Sequence, residues 1–448
     1  MKKANGDVKR SRSTALTKLV VGGYKSFADV TEIEIRPLTI LAGANSSGKS
    51  SAVQPLLLMK QTLEASYDPG GLKLDGPHVK LTDADQMFWR NGPTESTANI
   101  VFGLELDGGL RVEQSFRRAD NDNEEGGVSP ASLTVSLHGS HPFTLSEGMS
   151  SEEIGAAIGH EHEDPVLWDL KRSRGFLTVT DNGMPIYDSP VWVITNGDDL
   201  LAAISSVIHL PGLRGNPERS YPVTAIGPVF PGPFEAYTAS VLLHFQRRKE
   251  YGKLAKLVEH AESLGLAAKI EARQLQTSTV EVLVSRVARP APGGVDDLVN
   301  IADVGFGVSQ TLPVLVALQA ALPGQLVYIE QPEIHLHPRA QVAMAAVLAE
   351  AAMRGVRVVV ETHSDRLLLG IQTLVAEGTL PPELVKLHWF TQRGTDGATE
   401  VRSGDLDAGG AFGDWPEDFA EVELTAESRY LDASEARLAG MKSAQAKR

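Results

Sequence analysis

The chain has 448 residues, of which 42% are hydrophobic and 22% charged, a composition typical of a globular protein with two or three domains. It contains no cysteine, which excludes disulfides, thiolate zinc sites and cysteine nucleophiles. Its formal net charge of −15 argues against an extensive nucleic-acid-binding surface, because phosphate contacts need Lys and Arg. No apolar run approaches the roughly 18 residues of a membrane span, and the N-terminal residues lack a secretory signal, so we expect a cytoplasmic protein with no membrane partner.

Short basic clusters are compatible with a local DNA-binding groove, although the net charge of the chain is negative. The clusters are Arg117–Arg118, Lys171–Arg174 and Arg247–Lys249. Runs of this length are more often solvated faces of a protein, so DNA is a partner that the net charge does not support.

The predicted elements alternate strands and helices, which indicates an α/β fold. Strands are predicted within 16–27, 31–43, 98–118, 131–145, 268–275, 279–287, 326–329 and 356–364, and helices at about 50–65, 235–265, 311–322 and 339–354. We predict five segments along the chain: a mobile basic tail (1–14), an N-terminal lobe (15–140), an insertion and helical region (141–290), a C-terminal lobe (291–400) and a short C-terminal segment (401–448). A linker is predicted at 289–294, where the third segment passes into the fourth.

The segment "GANSSGKSS" has the spacing of a phosphate-binding loop between an apolar strand and a helix. Its backbone amides and the helix N-terminus would surround phosphate groups. Lys49 would neutralise the β- and γ-phosphates of a nucleotide, and Ser50 would bind Mg2+. The predicted nucleotide-binding residues of this loop are Gly43, Asn45, Ser46, Ser47, Gly48, Lys49, Ser50 and Ser51.

A second glycine turn, "NIADVGFGVSQ", precedes the next predicted helix. Ser309 and Gln310 are expected to open that helix, and its free amides with the Ser309 hydroxyl would bind an anion. Gly305 and Gly307 shape the turn. Because one nucleotide does not need two such turns in one subunit, we assign this turn to the nucleotide held by another subunit.

Two further buried strands end in residues suited to nucleotide chemistry. Glu330 follows four apolar residues, where its carboxylate would bind Mg2+. His363 lies just past the apolar run of "VVVETHSD", where it would hydrogen-bond a γ-phosphate.

This order of motifs resembles the ATPase head of the ABC superfamily, in its RecF/SMC/OLD-like branch. In that family two heads enclose two ATP molecules, each bound by the P-loop of one subunit and the signature turn of the other. The resemblance implies a mixed β-sheet lobe with a helical insertion lobe, ATP and Mg2+ as cofactors, and a homodimer or higher even oligomer. It makes residues 43–50 the Walker A motif, residues 305–310 the signature, Glu330 the Walker B acid and His363 the switch histidine. Gln86 is a weaker match to the Q-loop glutamine, which also approaches Mg2+.

The chain resembles more closely a bacterial subgroup with characteristic segments. They appear here as "GANSSGKSS", "GLRGNPERSY" (212–221), "VGFGVSQ" and "DWPEDF" (414–419). Relatives in the wider branch serve DNA repair or antiphage defence, often beside a separate effector. The resemblance therefore implies a protein partner, either a nuclease or a toxin.

Gln331 stands where ABC ATPases have the catalytic glutamate. A glutamine can orient a water molecule but cannot accept its proton. Glu333 or His363 would then act as the base or position the water, or else hydrolysis is slow and the protein is a long-lived ATP-bound switch. We expect slow turnover.

Two other functions stay open at the level of sequence. The first is an OLD-like nuclease or nuclease subunit, in which Asp405 and Asp407 or the "HEHED" segment (160–164) would bind metal. The second is a scaffold that sequesters a toxin effector under the control of ATP.

Overall fold

The structure, a computed structural model, describes residues 15–92, 95–119, 127–137, 140–158, 168–181, 184–185, 198–286 and 297–413. The predicted tail at 1–14, the "HEHED" segment, the linker at 289–294 and "DWPEDF" lie outside these residues. Within the described ranges, the helices are too short or too polar to cross a membrane.

In the described chain, runs of strands are separated by one or two helices. The strands are β1 Leu16–Gly22, β2 Thr31–Glu34, β3 Leu38–Gly43, β4 Arg90–Asn91, β5 Glu95–Ser96, β6 Asn99–Leu106, β7 Arg111–Arg118, β8 Val128–Ser136, β9 Phe143–Ser146, β10 Trp168–Ser173, β11 Phe176–Asp181, β12 Met184–Pro185, β13 Ile208–Leu210, β14 Tyr221–Pro222, β15 Ile270–Gln276, β16 Thr279–Ser285, β17 Leu298–Asn300, β18 Leu326–Glu330, β19 Arg357–Thr362, β20 Val385–Gln392 and β21 Thr399–Gly404. The helices are α1 Lys49–Leu63, α2 Ser151–Ala157, α3 Asp198–Ser205, α4 Thr238–Arg248, α5 Tyr251–Ser263, α6 Phe306–Ala320, α7 Pro338–Met353 and α8 Asp365–Ala376.

A central six-stranded sheet has the order β13-β18-β19-β3-β20-β21. Its strands are parallel except for β21, which pairs antiparallel with β20. The register places Glu330 beside Glu361 and Thr362 beside Ala42. The carboxyl ends of β18, β19 and β3 therefore meet at one edge of the sheet, which is where ligands bind in open parallel sheets.

Both faces of the central sheet are covered, which explains its nearly continuous apolar strands. Successive side chains of a strand point to opposite faces. Leu38 and Ile40 accordingly pack in the core cluster that contains α6 and α7, whereas Leu41 packs in the cluster that contains α1. Helix α6 is buried from Ser309 to Gln319, as expected for a helix that is apolar all round.

Four other sheets are described, of which two carry the cores of the lobes and the other two are the small sheets β10-β11-β12 and β4-β5. The antiparallel sheet β2-β1-β6-β7-β8-β9 packs with α1 in one core cluster, and the smaller sheet β14-β16-β15 packs with α4 and α6 in the other. The predicted α/β class with a mixed sheet is thus confirmed. Two predicted segment boundaries fall inside sheets, because β9 extends the sheet of β8 beyond residue 140 and β21 spans residues 400 and 401.

The start of α6 differs from the prediction. The helix begins at Phe306 after Gly305, whose backbone is extended, so Ser309 and Gln310 lie within its first turns and do not open it. The prediction at 311 was wrong because Gly307 is tolerated inside the helix, where it approaches the carbonyl of His335. The free amides at this helix N-terminus are consequently those of Phe306 and its neighbours.

Two adjacent leucines of α8 test this packing. Leu368 is 1% exposed and belongs to the core, whereas Leu369 is 59% exposed. We expect Leu368→Ala to lower the free energy of unfolding by about 2–5 kcal/mol, through lost burial and a new cavity. Leu369→Ala should change it by less than about 0.5 kcal/mol. Urea unfolding of both variants measures the difference, and equal effects would contradict the packing described.

Candidate functional site

The phosphate loop between β3 and α1 depends on two glycines. Gly43 has a φ of 142° and Gly48 a φ of 101°, which favour glycine over other residues. A Cβ atom would lie 2.3 Å from the Phe390 carbonyl oxygen at Gly43, and 2.3 Å from Thr399 Oγ1 at Gly48. Conformation and space therefore both require glycine at these positions.

The hairpin of β20 and β21 supports the loop from behind. Thr399 Oγ1 lies 2.7 Å from Ser26 Oγ and 2.9 Å from the Ser47 carbonyl oxygen. Gln392 Nε2 donates to the Ser46 carbonyl oxygen at 2.8 Å. These contacts hold the loop backbone in place. They come from β20 and β21, which lie outside the predicted segment (15–140) that contains the loop.

The predicted loop residues occupy different depths. Ser47 is buried and its hydroxyl has no hydrogen-bond partner, whereas Asn45 and Ser46 are exposed. Lys49 is 3% exposed, and its ammonium donates to the carbonyl oxygens of Gly43 and Ala44 at 3.1 and 2.7 Å. Burial lowers the pKa of Lys49, an effect that the charge of Glu361 partly offsets. The ammonium thus lies inside the curve of the loop.

Ser50, in the first turn of α1, is joined to an acid that sequence reasoning missed. Its hydroxyl donates to Glu361 Oε2 at 2.8 Å, and the buried Tyr328 hydroxyl donates to the same oxygen at 2.9 Å. Burial raises the pKa of Glu361, although these two hydrogen bonds partly offset the effect. The signal was present in "VVVETHS", where the acid is the second-last residue of its strand.

Glu330 ends the neighbouring strand, but its carboxylate contacts His209 and Gly212 rather than Ser50. Its Oε2 accepts from the Gly212 amide at 2.9 Å, and its Oε1 lies 3.2 Å from His209 Nε2. Burial would raise the pKa of this carboxyl, but His209 and Gly212 hold it below its ordinary value. The role of Glu330 in binding Mg2+ stays a prediction.

A buried chain of polar side chains continues from Glu330 to α1. His209 Nδ1 lies 3.0 Å from His78 Nδ1, and His78 Nε2 lies 3.3 Å from Glu64 Oε2. Glu64 Oε1 is in turn 2.7 Å from the Lys60 ammonium. This chain connects the Walker B candidate with the C-terminal part of the helix that follows the phosphate loop.

The three predicted catalytic residues lie close together beyond β18 and β19. Gln331 has a φ of 46°, an uncommon conformation for a residue with a side chain, and its amide donates to the Glu361 carbonyl oxygen at 2.7 Å. Glu333 Oε1 accepts from Thr362 Oγ1 at 2.7 Å and from the His363 amide at 3.0 Å.

The pKa values of Glu333 and His363 are shifted in opposite directions. Burial raises the pKa of Glu333, and its Oε2 is buried without a hydrogen-bond partner. Burial and the charge of Lys49 lower the pKa of His363. A raised pKa makes the Glu333 carboxylate a stronger base than an ordinary glutamate.

Arg214 links the signature turn (305–310) to strand β18, which ends at Glu330. Its Nη1 donates to the Gln310 carbonyl oxygen at 3.0 Å, and its Nη2 donates to the Glu330 carbonyl oxygen at 2.8 Å. Ser309 is buried, with its hydroxyl donating to the Phe306 carbonyl oxygen at 3.2 Å. Sequence reasoning noted the segment around Arg214 but gave that residue no role.

Gln86 lies apart from these groups. It is exposed in a 3-10 turn, and its amide side chain pairs with Thr82 through the backbone amide at 3.0 Å and the hydroxyl at 2.9 Å. It lines a polar surface cavity that also includes Lys25, whose ammonium contacts Gln54 of α1. Its predicted roles in nucleotide and metal binding stay predictions.

The acids considered for a nuclease site are engaged in local structure. Asp405 Oδ1 lies 2.9 Å from the ammonium of Lys386 and 2.9 Å from Arg36 Nη2. Asp407 Oδ1 accepts from the amides of Gly409 and Ala411 at 2.8 and 2.9 Å. In the part of the chain that the structure describes, there is no group of three or more His, Asp or Glu side chains arranged to hold a metal ion.

Comparison with known families adds one match. Residues 245–369 match the family described as "AAA domain, putative AbiEii toxin, Type IV TA system". This segment contains the signature turn, strand β18 with Glu330 at its end, and His363. Strand β3, which leads into the phosphate loop, lies beside β19 of this segment in the central sheet. Over these residues the chain is similar to that AAA-domain family.

Solved structures similar to this chain include three SMC heads. A head bound to the C-winged helix domain of ScpA has 12% identity and a TM-score of 0.47, with 88% of this chain and 98% of that chain covered. The SMC head domain from Thermotoga maritima has 14% identity and a TM-score of 0.39, with coverages of 87% and 98%. A head with an extended coiled coil, bound to the C-terminal domain of ScpA and derived from Pyrococcus furiosus, has 11% identity and a TM-score of 0.42, with coverages of 87% and 96%. The search of curated proteins found no match.

The support of the phosphate loop by β21 can be tested at Thr399. We expect Thr399→Val to weaken binding of a fluorescent ATP analogue by about threefold to tenfold, because the loop backbone loses a hydrogen-bonding partner. Thr391→Val on β20 makes the same chemical change at a half-buried threonine and serves as the matched control. Equal affinity of the two variants would show that the loop does not need this support.

Proposed function

We propose that this chain binds Mg-ATP at the carboxyl edge of its central sheet and hydrolyses it slowly. The observation that carries the proposal is the hydrogen bond between Ser50 and Glu361, formed beside Lys49 where the ends of β3 and β19 meet. The match of residues 245–369 to an AAA-domain family supports the same function.

The residues around Ser50 suit a magnesium ion. A hydroxyl and a carboxylate are the hard oxygen ligands that Mg2+ takes in nucleotide sites, together with phosphate oxygens. Ser50 and Glu361 would hold the ion, and Glu330 would contribute through water from the neighbouring strand. When bound, Mg2+ neutralises charge on the β- and γ-phosphates. Lys49 would add its own positive charge from within the loop.

The residues just beyond β18 and β19 support the proposal of slow hydrolysis. Gln331 replaces the usual glutamate and cannot accept a proton. Glu333 is the candidate base, because its Oε2 has no partner and burial raises its pKa. His363, next to it in space, would bind the γ-phosphate of the same nucleotide.

We further propose that two copies pair head-to-head, so that the N-terminus of α6 binds the nucleotide of the other copy. Phe306 at that terminus is 54% exposed, and its ring lies 5.8 Å from the ring of His335. Arg214 would transmit the state of this turn to Glu330, since it bonds to both segments. The ATP-bound state would signal to a partner protein, an effector such as a nuclease or toxin, in antiphage defence or DNA maintenance.

The proposal of slow turnover is tested by steady-state ATP hydrolysis of the wild type and Gln331→Glu, with Lys49→Ala as the blank. We expect the wild type to be nearly inactive and Gln331→Glu to be several-fold faster, because a carboxylate can accept the proton of the attacking water. An ordinary wild-type rate that Gln331→Glu leaves unchanged would contradict the switch and direct attention to Glu333.

Whether Glu361 or Glu330 holds the Mg2+ ion is tested by measuring the affinity for ATP with Mg2+ and with EDTA. Glu361→Gln should reduce the Mg2+-dependent gain in affinity by about tenfold, because an amide is a poorer ligand than a carboxylate. Its affinity in EDTA should not fall, because the change removes a negative charge near the phosphates. Glu330→Gln is the matched control, and loss of the gain in that variant alone would reverse the assignment.

A further inference from the structure

The two acids at the carboxyl edge of the central sheet, Glu330 and Glu361, lie side by side on neighbouring strands. The residues two positions earlier on these strands, Tyr328 and Val359, belong to the core cluster that contains α1. Because residues two apart on a strand share a face, both carboxylates leave the sheet on the side of α1. Burial raises the pKa of Glu361, and the charge of Glu330 adds to that effect. Something other than strand register must therefore decide which acid turns to the phosphate loop.

Two hydroxyl groups hold Glu361 on the side of the phosphate loop. Ser50 Oγ and the Tyr328 hydroxyl both donate to Glu361 Oε2, at 2.8 and 2.9 Å. Ser50 is half-buried and is itself a candidate ligand of Mg2+, whereas Tyr328 is fully buried. Burial raises the pKa of Tyr328 far above its ordinary value, so its hydroxyl keeps its proton and stays a donor. Of these two donors, Tyr328 is the one that lies outside the candidate metal site.

The ring of Tyr328 is itself held in place by a ring on the neighbouring strand. Strand β13 pairs with β18 in a register that places His209 beside Tyr328. The two rings stack, with their centroids 5.4 Å apart and an angle of 10° between their planes. His209 Nε2 in turn lies 3.2 Å from Glu330 Oε1. Each ring of the stacked pair therefore contacts a different acid, which keeps the two carboxylates apart.

We propose that Tyr328 is a positioning residue for Mg-ATP, because its hydroxyl holds the Glu361 carboxylate beside Ser50 and away from Glu330. Tyr328 acts through Glu361 and is not itself a ligand of the ion. This inference rests on the proposed function, in which Ser50 and Glu361 hold Mg2+. Without the tyrosine hydroxyl the carboxylate keeps only the hydrogen bond from Ser50, so the repulsion from Glu330 is opposed by one hydrogen bond fewer.

Tyr328→Phe removes this hydroxyl and preserves the ring that stacks on His209. Tyr24→Phe is the matched control, because Tyr24 is also 0% exposed and packs in the same core cluster. The Tyr24 hydroxyl donates to the side-chain oxygen of Gln54 at 3.1 Å, and that acceptor is neutral. Urea unfolding of both variants shows that each is folded and what the loss of a buried hydroxyl costs in this cluster.

The test is the affinity for a fluorescent ATP analogue, measured with Mg2+ and with EDTA. We expect Tyr328→Phe to reduce the Mg2+-dependent gain in affinity by about threefold to tenfold and to leave the affinity in EDTA unchanged. Tyr24→Phe should keep the full gain. A merely structural role of Tyr328 would change the affinity alike in both conditions, so the ratio of the two affinities isolates its effect on the metal site.

A double variant tests whether Tyr328 acts through Glu361. In Glu361→Gln the carboxylate is already absent, so adding Tyr328→Phe should not reduce the remaining gain further. A further loss in the double variant would show that Tyr328 acts elsewhere and would overturn the proposal. Tyr328→Phe with the wild-type gain would also overturn it, while leaving Mg-ATP binding as proposed. A wild type without any Mg2+-dependent gain would contradict the proposed function itself, and the positioning role with it.

Discussion

The parallel register of β18, β19 and β3 is the constraint on which the site depends. It aligns Glu330 with Glu361 and Thr362 with Ala42, so that the acids and the phosphate loop reach the same edge together. Residues that are about 310 positions apart in the chain, Ser50 and Glu361, come within hydrogen-bonding distance as a result. Helices cover both faces of the sheet, so the edge formed by the carboxyl ends of these strands is the side that stays open.

The charges at this edge are balanced in pairs rather than left free. Lys49 faces Glu361, and Glu330 faces His209. Arg214 lies among three carboxyl groups and bonds to two segments of the chain, helix α6 and strand β18. Because a buried charge is costly without a partner, a change at one member of such a network is felt by the others.

Much of the fold could be predicted from local sequence patterns. The phosphate loop was predictable because its glycines, Lys49 and Ser50 are adjacent in sequence and their spacing follows from the turn they must make. The start of α6 was not, since Gly307 inside the helix looked like part of a turn. Helix boundaries of this kind depend on packing, here against His335, which no local pattern contains.

The sequence by itself determined the order of the motifs, the α/β class and the position of Gln331 directly after the acid at the end of β18, because each depends on neighbouring residues. Only the tertiary structure decided that Glu361 is the acid beside Ser50, that Glu330 turns to His209, and that Thr399 supports the loop. Those contacts join distant segments, and their partners are chosen by strand register and by the direction of each side chain. A pattern read along one segment contains neither.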